Sequence, residues 1–547
     1  MIRSLFLSFA ALSVLITSID VSAQGRSHLG REFYVVFGAN TGGEQPDLET
    51  MNSVSLSIAA FATANVRIEI PSLEFDRTIV VSKDSGATIE LPNGNNHSIS
   101  AVLSRSDNAM ILRKRAVHVS SDVDIAISAR NSKRFSEDAF LILPVQSLGN
   151  EYRIVSYPAS AGQGAEMPGQ FALAAVEDDT RVEITTRCKT FDGKPQDVAY
   201  SVELDRGDAY LVLSGISNVE DLTGSLVTSS RPIAVFSGHE RAAVPLDAKL
   251  FDGSAASRDH LYEQLPPVNT CGDTFFVVPF KATDRPDLVR AIATADNTKL
   301  FSNGEIVASL NAGEFFEWTE LKTASMITSD KPILVAQYMG TSLGRLNDPN
   351  FPANGDPSLM LVPPTEQHLK EYQFHSYAYE IDSAWLTVVL PAIGYSSTRI
   401  DGVGLDLVDA IPGTDYVYSS RRIKSGKHLV TSSESIAVYV YGASGVSSFA
   451  MLAGMGVEPG GITKSSVEVS PASLNATLVP VASRGEVRLP VTQQAGEVRV
   501  FDRAGRSVGL KSEMCAGENR LVVQTLASGV YFYRASESGE QGSFLVP

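Results

Sequence analysis

Apolar and polar positions alternate over short stretches of this chain, or apolar residues form short continuous runs, as they do in β-strands. Runs rich in Val, Ile, Phe, Tyr and Thr recur about every eight to twelve residues, and almost no long stretch has a helical period. Dipeptides that supply the positive φ of tight turns separate the runs: Asn93-Gly94, Asp192-Gly193, Asn303-Gly304 and Asp401-Gly402. The pattern predicts an all-β chain.

One β pattern occurs four times, at a spacing of about a hundred residues. Four segments share an apolar entry, a polar turn and an apolar run: VHVSSDVDIAIS from Val117, SLVTSSRPIAVF from Ser225, SMITSDKPILVA from Ser325 and HLVTSSESIAVY from His428. Equivalent positions in them are Ile125, Ile233, Ile333 and Ile436. A chain of 547 residues is long enough for several units with separate cores.

Each copy has a glycine at the tip of an upstream hairpin, where glycine permits a positive φ: Gly86, Gly207, Gly313 and Gly413. Each copy opens with an aromatic-rich strand: GREFYVVF from Gly30, GNEYRIVSY from Gly149, GDTFFVVPF from Gly272, and KEYQFHSY with Lys370 in place of the glycine. The repeats are expected at about residues 27–131, 134–240, 259–340 and 357–447, within a region of 24–460. Their length favours tandem β-sandwich-like repeats over propeller blades, which need about 40 to 50 residues. Exchange of strands between repeats is left open.

Residues 1–23 have the features of a secretory signal peptide. A basic start is followed by an apolar segment and then by small residues: Arg3, Leu5 to Ile16, and Val21-Ser22-Ala23. The apolar segment is shorter than the roughly 20 residues that span a bilayer. We expect cleavage between Ala23 and Gln24 and no membrane-spanning segment in the mature chain.

The net charge disfavours two classes of partner, and the cysteine content gives no sign of a zinc site or a disulfide framework. The net charge of −17 and the pI of about 5.0 disfavour nucleic acid and anionic membranes, because like charges gain nothing from counterion release. The three cysteines have no CxxC spacing, so neither a zinc site nor a disulfide framework is indicated. A bridge between Cys188 and Cys271 is allowed in an oxidising compartment and stays open.

The segment from His239 to His260 is the first candidate for chemistry. It carries four carboxylates that could in principle gather a metal ion: Glu240, Asp247, Asp252 and Asp259. Their spacing matches no calcium loop or HExxH helix, so a solvated loop is the preferred interpretation and no metal site is predicted. As a long connection between two copies, it remains a reasonable place for ligand contact.

Two further motifs have simpler structural interpretations. Arg206-Gly207-Asp208 spells a tripeptide read by some adhesion receptors, but its glycine is the hairpin glycine of the repeat. His118 and His428 lie near the four repeated segments, and no serine or cysteine recurs beside them with an orienting carboxylate. With no GxSxG elbow or glycine-rich phosphate loop either, we predict a protein that is not an enzyme, with no catalytic residues and no cofactor. The rival hypothesis is a secreted hydrolase whose carboxylates, such as Asp259 and Glu263, converge only in the fold.

The sequence HLYEQLPPVNTCGDTFFVVPF, from His260 to Phe280, resembles the N-terminal domain of the IgGFc-binding protein family. The segments GREFYVVF, SSRPIAVFSGHE and TSDKPILVAQYM extend the resemblance to about residues 27–450. It implies an extracellular binding or adhesion module. The antibody ligand in the family's name is not carried over, because no ligand-contact residue of the family maps onto this chain.

The composition changes after the linker GVEPGGITKSS, and residues of about 465–547 resemble the C-terminal sorting domain of type IX secretion substrates. The matching positions include Asp502, Gly505, Arg506, Leu526, Gly529, Val530 and Tyr531. The resemblance implies a small Ig-like β-sandwich that directs passage through the outer membrane. Two usual features are absent: LVPVAS from Leu478 stands where Pro-Asn-Pro is common, and the end GSFLVP lacks the common lysines.

Together these features predict an exported, non-catalytic binding or adhesion protein, displayed on or released from the surface of a bacterium that uses type IX secretion. The expected partners are the sorting machinery and an extracellular glycan or glycoprotein. A structural spacer or surface-layer protein is the alternative that the sequence leaves open.

Overall fold

The computed structural model describes residues 26–40, 53–93, 100–133, 135–160, 167–250, 253, 256–281, 283, 285–344, 354–376, 384–406, 408–445 and 447–458, and the backbone of seven strands after residue 485. Its regular elements are antiparallel strands joined by turns, with short 3₁₀ helices at Pro71–Leu73, Arg105–Asp107, Val145–Ser147, Val268–Thr270, Thr365–Gln367 and Ala392–Gly394. The predicted all-β class is confirmed. Within this part of the chain, no helix is long and apolar enough to cross a membrane.

Thirty strands form four large sheets, numbered here in chain order. The first unit contains β1 (Gly30–Val35), β2 (Ser53–Ala60), β3 (Ala64–Ile70), β4 (Phe75–Val81), β5 (Ala87–Glu90), β7 (Val117–Lys133) and β8 (Ser136–Ile142). The second contains β6 (Ile111–Leu112), β9 (Gly149–Arg153), β10 (Gly169–Ala175), β11 (Thr180–Thr185), β12 (Tyr200–Leu204), β13 (Ala209–Leu213), β14 (Leu226–Ala242) and β15 (Asp259–Gln264).

The other two units repeat this composition. The third contains β16 (Gly272–Val277), β17 (Asp287–Ala293), β18 (Thr298–Ser302), β19 (Glu305–Leu310), β20 (Phe315–Leu321), β21 (Ser325–Met339) and β22 (Ser358–Val362). The fourth contains β23 (Leu369–Ser376), β24 (Ala384–Pro391), β25 (Arg399–Ile400), β26 (Val403–Gly404), β27 (Asp409–Ala410), β28 (Tyr416–Ile423), β29 (Gly426–Ser444) and β30 (Ser447–Leu452).

A long central strand organises each unit: β7, β14, β21 or β29. In the second unit, the first half of β14 pairs with β9 and β11, and its second half pairs with β10 and β15. The register breaks between Thr228 and Ile233, where the strand passes from one layer to the other. The polar segment that we expected to be a turn is therefore a bend inside one continuous strand. Sharing that strand makes each unit a two-layered, sandwich-like body.

The four equivalent isoleucines confirm the alignment of the repeats. Each is buried on its long strand and pairs with the first residue of the opening strand: Ile125 with Gly30, Ile233 with Gly149, Ile333 with Gly272, and Ile436 with Leu369. Leu369, rather than Lys370, thus stands in the place of the glycine, and that detail of the alignment was wrong by one residue. The hairpin glycines 86, 207, 313 and 413 all have a positive φ, as expected.

The four units close into a ring around the strands β8, β15, β22 and β30, which we call the inner strands. Inner strand β8 contacts β15 and β30, and β22 contacts the same two neighbours. The ends of the region close the ring, because the His28 N–H donates to the Met455 carbonyl at 2.9 Å and the Val457 N–H to the Arg26 carbonyl at 2.9 Å. The first repeat also supplies a strand to its neighbour, since β6 precedes β7 in the chain but pairs with β13 of the second unit.

Aromatic side chains pack beneath the inner strands. Tyr262 meets the ring of Phe140 edge-on at 5.1 Å and stacks on that of Phe236 at 6.1 Å. Its hydroxyl donates to the carbonyl of Val36 at 3.0 Å, which links the second unit to the first. All three rings are fully buried, and burial of each stabilises the fold by about 1.5–3 kcal/mol. The core is therefore shared between units.

After residue 485 the strands form two small antiparallel sheets: β31 (Glu486–Leu489), β35 (Glu518–Val522) and β34 (Ser512–Cys515), and then β33 (Ser507–Val508), β32 (Val498–Phe501), β36 (Gly529–Ala535) and β37 (Gln541–Val546). Positions 529–531 of the predicted sorting motif lie at the start of β36. The other motif residues, Asp502, Gly505, Arg506 and Leu526, lie outside the described residues, as do Ala23 and Gln24 of the cleavage site.

Candidate functional site

Asp138, on inner strand β8, lies at the centre of the ring and is fully buried. Because each inner strand is an edge of its own sheet, its free N–H groups face the ring axis and need acceptors there. The Asp138 carboxylate accepts hydrogen bonds from all four inner strands: from the N–H groups of Ala139 at 2.9 Å, Leu359 at 3.1 Å, Tyr262 at 3.2 Å and Ala450 at 3.4 Å, and from the Ser358 hydroxyl at 2.8 Å. Burial raises the pKa of Asp138, and these donors oppose that shift. One side chain thus joins the four units.

Two more enclosed carboxyls flank this centre. Asp259 Oδ1 accepts from the N–H groups of Glu137 and His260, at 2.5 and 2.7 Å, while Asp356 accepts from the Ser257 hydroxyl at 2.7 Å. Burial raises the pKa of Asp356 to about 7. Burial also raises the pKa of Asp259 well above its usual range, and the charge of Asp356 adds to that shift.

The expectation of a solvated loop from His239 to His260 is wrong at both ends. His239 and Glu240 belong to β14, Asp259 and His260 belong to β15, and all four are buried. Burial lowers the pKa of His239 to about 3 and of His260 to about 4, so both rings are neutral. The sequence does not reveal these strand ends, because a strand that enters the ring centre carries polar side chains, as a loop does.

The three described carboxylates of this segment do not converge. Glu240 pairs with Arg105 at 2.6 Å, Asp259 lies at the ring centre, and Asp247 is exposed, while Asp252 lies outside the described residues. Over the described ranges, no cluster of three or more His, Cys, Asp or Glu side chains could hold a metal ion. The segment offers an exposed connection rather than a coordination site.

The described parts of that connection, residues 243–250, 253 and 256–258, contact the third unit near both ends. Val244 and Thr341 hold its start, because the Val244 N–H donates to the Thr341 hydroxyl at 2.9 Å and the Thr341 N–H returns a bond to the Val244 carbonyl at 2.8 Å. Ser257 anchors its end on Asp356, and Arg285 donates to the Lys249 carbonyl at 2.8 Å. Asp247 and Lys249 stay exposed between these anchors.

Two arginines mark the two ends of this connection, Arg241 just before it and Arg258 at its last residue. Arg241 Nε donates to the carbonyl of Arg258 at 3.0 Å, and Arg241 Nη2 donates to that of Phe135 at 3.3 Å. Burial lowers the pKa of Arg258, and the charge of Arg241 lowers it further. We call the surface formed by Phe135, Arg241, residues 245–249 and Arg258 the axial face. The charge of Arg241 in this surface acts on the enclosed Asp356.

Arg290 binds the second and third units together, and its role was missed from the sequence. This buried guanidinium pairs with Asp221 at 2.9 Å and Glu317 at 2.8 Å. It also lies over the rings of Phe315 and Tyr157, at 4.5 and 4.7 Å. Burial acts to lower the pKa of Arg290, but the neighbouring negative charges outweigh it and the net shift is upward. The available signal was a lone charge in the apolar run LVRAIA.

The remaining candidate residues have structural surroundings. Asp208 of the Arg-Gly-Asp string is fully buried and accepts from the N–H groups of Lys114 and Asp205, at 2.9 Å each. It therefore holds a turn and does not face a receptor. Cys188 and Cys271 are both buried and unpaired.

The two histidines are also tied into their surroundings. His118 Nε2 lies 3.2 Å from Glu32, and its ring stacks on Tyr34. His428 contacts Asp401 and the Lys424 carbonyl at 2.8 Å each. The carboxylates of the rival hydrolase hypothesis, Asp259 and Glu263, are enclosed at 0% and 2% exposure, so they do not face a substrate.

A model of the family described as IgGFc binding protein matches residues 138–442. Over 315 residues the chain is 29% identical to the IgGFc-binding protein of Homo sapiens, and the alignment covers 56% of this chain but 5% of that protein. The chain therefore spans a small part of the length of this relative. The family match runs from the central aspartate through the long strand of the fourth unit, a narrower range than the 27–450 expected.

Two solved structures align over most of the chain at low similarity. A biofilm-associated protein BSP domain covers 78% of this chain and 95% of its own, at 8% identity and a TM-score of 0.12. An anti-sigma factor domain-containing protein from Clostridium clariflavum covers 71% and 97%, at 9% identity and a TM-score of 0.09. Neither score bears on the fold or on the ligand.

Proposed function

This chain belongs to the IgGFc-binding protein family, and from that premise we propose that it binds an extracellular glycan or glycoprotein through the axial face. The family is one of binding proteins, which supports a non-catalytic role. The antibody in the name of the human relative is that protein's ligand and is not assumed here.

We choose the axial face because the connection between the second and third units is held near both ends and exposes two charged residues between them. Its two ends are held on the third unit, and the exposed Asp247 and Lys249 lie between the anchors. A loop on a rigid frame presents side chains in a fixed arrangement, which reduces the ordering cost of binding. The enclosed acids beneath it supply the frame and do not meet a ligand.

Ring closure argues against the spacer alternative. In an open array of four units the two ends would be far apart, and the array would add length between its attachment points. Here the N–H of Val457 is bonded to the carbonyl of Arg26, so the two ends of the region meet. The four units build a compact body whose faces, rather than its length, are available for use.

An array of glycans and host glycoproteins, probed with residues 24–547, tests this function. Removing the two exposed axial charges with Asp247→Ala and Lys249→Ala should weaken capture of the bound ligand at least tenfold. A matched control removes one acid and one base from an exposed outer hairpin of the third unit, Lys299→Ala with Glu305→Ala, and should leave capture unchanged. Equal effects of the two double variants would refute the axial face, and silence of the whole array would favour the spacer.

For export we propose cleavage between Ala23 and Gln24 and sorting by residues 465–547 through the type IX machinery of a bacterium. The signal-peptide pattern, the tail motif and the small β-sheets after residue 485 support this route. Deleting residues 465–547 should leave the ring folded but trap it inside the producing cell, as measured by fractionation. Surface display of the truncated protein would contradict the sorting proposal, and N-terminal sequencing of exported material checks the cleavage site.

A further inference from the structure

The two arginines of the axial face have no carboxylate partner among the described residues. Within the part of the chain that the structure describes, neither Arg241 nor Arg258 forms an ion pair, and the Arg258 guanidinium donates no hydrogen bond. Both side chains are half-buried rather than extended into water. Charged groups at that depth are normally paired, because desolvation without a partner is costly.

Other arginines of the same chain that are removed from water have carboxylate partners. Arg290 has two carboxylates, Arg130 pairs with Glu137, and Arg105 pairs with Glu240. In a chain with a net charge of −17, acidic side chains are abundant, so the lack of a carboxylate beside Arg241 and Arg258 does not reflect a shortage.

Two enclosed acids, Asp356 and Asp259, are bonded to other groups. Asp356 accepts from the Ser257 hydroxyl, and Asp259 accepts from backbone N–H groups, so neither contacts the guanidiniums. The charge of Arg241 nevertheless reaches Asp356, where it opposes the upward shift of the pKa that burial causes. The positive charge of Lys133 acts on the same region, since it adds to the lowering of the His260 pKa by burial.

Arg241 is also preorganised. Two backbone carbonyls, of Arg258 and Phe135, hold its Nε and Nη2, which fixes the plane of the guanidinium and leaves Nη1 uncommitted. Arg258 is a direct contact of Arg241, because the Arg258 carbonyl accepts from Arg241 Nε. Guanidinium groups bind the paired oxygens of a carboxylate or sulfate, and such charge-assisted bonds are roughly twice as strong as neutral ones.

We propose that Arg241 and Arg258 bind the carboxylate or sulfate group of an acidic glycan. This inference rests on the proposed function and names the class of ligand that the axial face takes. Both anionic groups occur as charged substituents on otherwise neutral sugar chains, so one pair of guanidiniums distinguishes acidic from neutral glycans.

Isothermal titration of residues 24–547 with 3′-sialyllactose, 3′-sulfated lactose and lactose tests the inference at low ionic strength. We expect at least one acidic sugar to bind tenfold or more tightly than lactose, and the stronger of the two identifies the source of the anion. Arg258→Gln should lower that affinity at least tenfold. The control Arg77→Gln removes the same charge from an exposed position on β4 and should change nothing.

Thermal melting shows whether the variant is folded. Arg258→Gln should melt at the same temperature as the wild type, because the Arg258 side chain makes no hydrogen bond in the described structure. Equal affinity for lactose and both acidic sugars, or unchanged binding by Arg258→Gln, would overturn the inference. If Arg258→Gln also keeps wild-type capture on the glycoprotein array, the anion site is refuted and the proposed function survives. If the wild type captures nothing, the proposed function fails with it.

Discussion

Replacement of Asp138 tests whether one side chain holds the ring closed. Asp138→Ala removes the acceptor for donors on the inner strands of the other three units. The carboxylate is fully buried, so water does not replace it without opening the centre. The matched control is Asp124→Ala, because that carboxylate is 42% exposed and pairs with an arginine that is 62% exposed.

The magnitude follows from the groups left without a partner. Tyr262 and Leu359 each lose the acceptor of a backbone N–H, and Ser358 loses the acceptor of its hydroxyl. A buried donor left unsatisfied costs about 1–3 kcal/mol, so three cost about 3–9 kcal/mol. That is comparable to the whole stability of many domains, about 5–15 kcal/mol. The exposed ion pair of the control contributes about 0–1 kcal/mol.

Urea unfolding of residues 24–547 measures both variants, with circular dichroism for all strands and fluorescence for Trp318 and Trp385 in the third and fourth units. We expect Asp138→Ala to lower the free energy of unfolding by at least about 3 kcal/mol, and the loss to appear in the tryptophan signal although Asp138 lies in the first unit. A loss within about 1 kcal/mol of that of the control would refute the reasoning. So would unfolding of the first unit alone, with unchanged fluorescence.

Three further outcomes test other parts of the ring. Gly313→Val should lower the melting temperature far more than Ala312→Val, because Gly313 has a φ of +80° and an added Cβ would lie 2.7 Å from a backbone oxygen. Equal shifts of the melting temperature would contradict the proposed hairpin. Arg290→Met should lower the free energy of unfolding by about 3–5 kcal/mol, since it leaves two carboxylates without their shared partner, and a neutral result in urea titration would count against the clamp. Burial raises the pKa of Asp287 to about 8, so the folded state keeps a proton that the unfolded state loses above its pKa near 4. The contribution of Asp287 to the free energy of unfolding should therefore fall as the pH rises from about 4 to 8, and the difference in stability between the wild type and Asp287→Asn should follow that fall when unfolding is measured across the range.

Local chemistry explains what the sequence predicted well. Alternating apolar residues specify strands, and glycines such as Gly207 specify hairpin tips, because both depend on the backbone preferences of a few neighbouring residues. The four isoleucines were recognisable because each unit needs an apolar residue at the same point of its long strand. The class of fold and the repeated unit were therefore readable without any tertiary contact.

The tertiary structure alone decided how the units meet. Asp138 bonds to residues as far away as Ala450, and the ring closes between Arg26 and Val457. Neither relation leaves a periodic pattern, because contacts over hundreds of residues constrain single positions rather than runs. For the same reason, the polar strand ends around His239 and Asp259 were interpreted as a solvated loop. The same polar residue types occur in solvated loops and at buried positions where they form hydrogen bonds with backbone groups. Only the partners supplied by the other units distinguish the two cases.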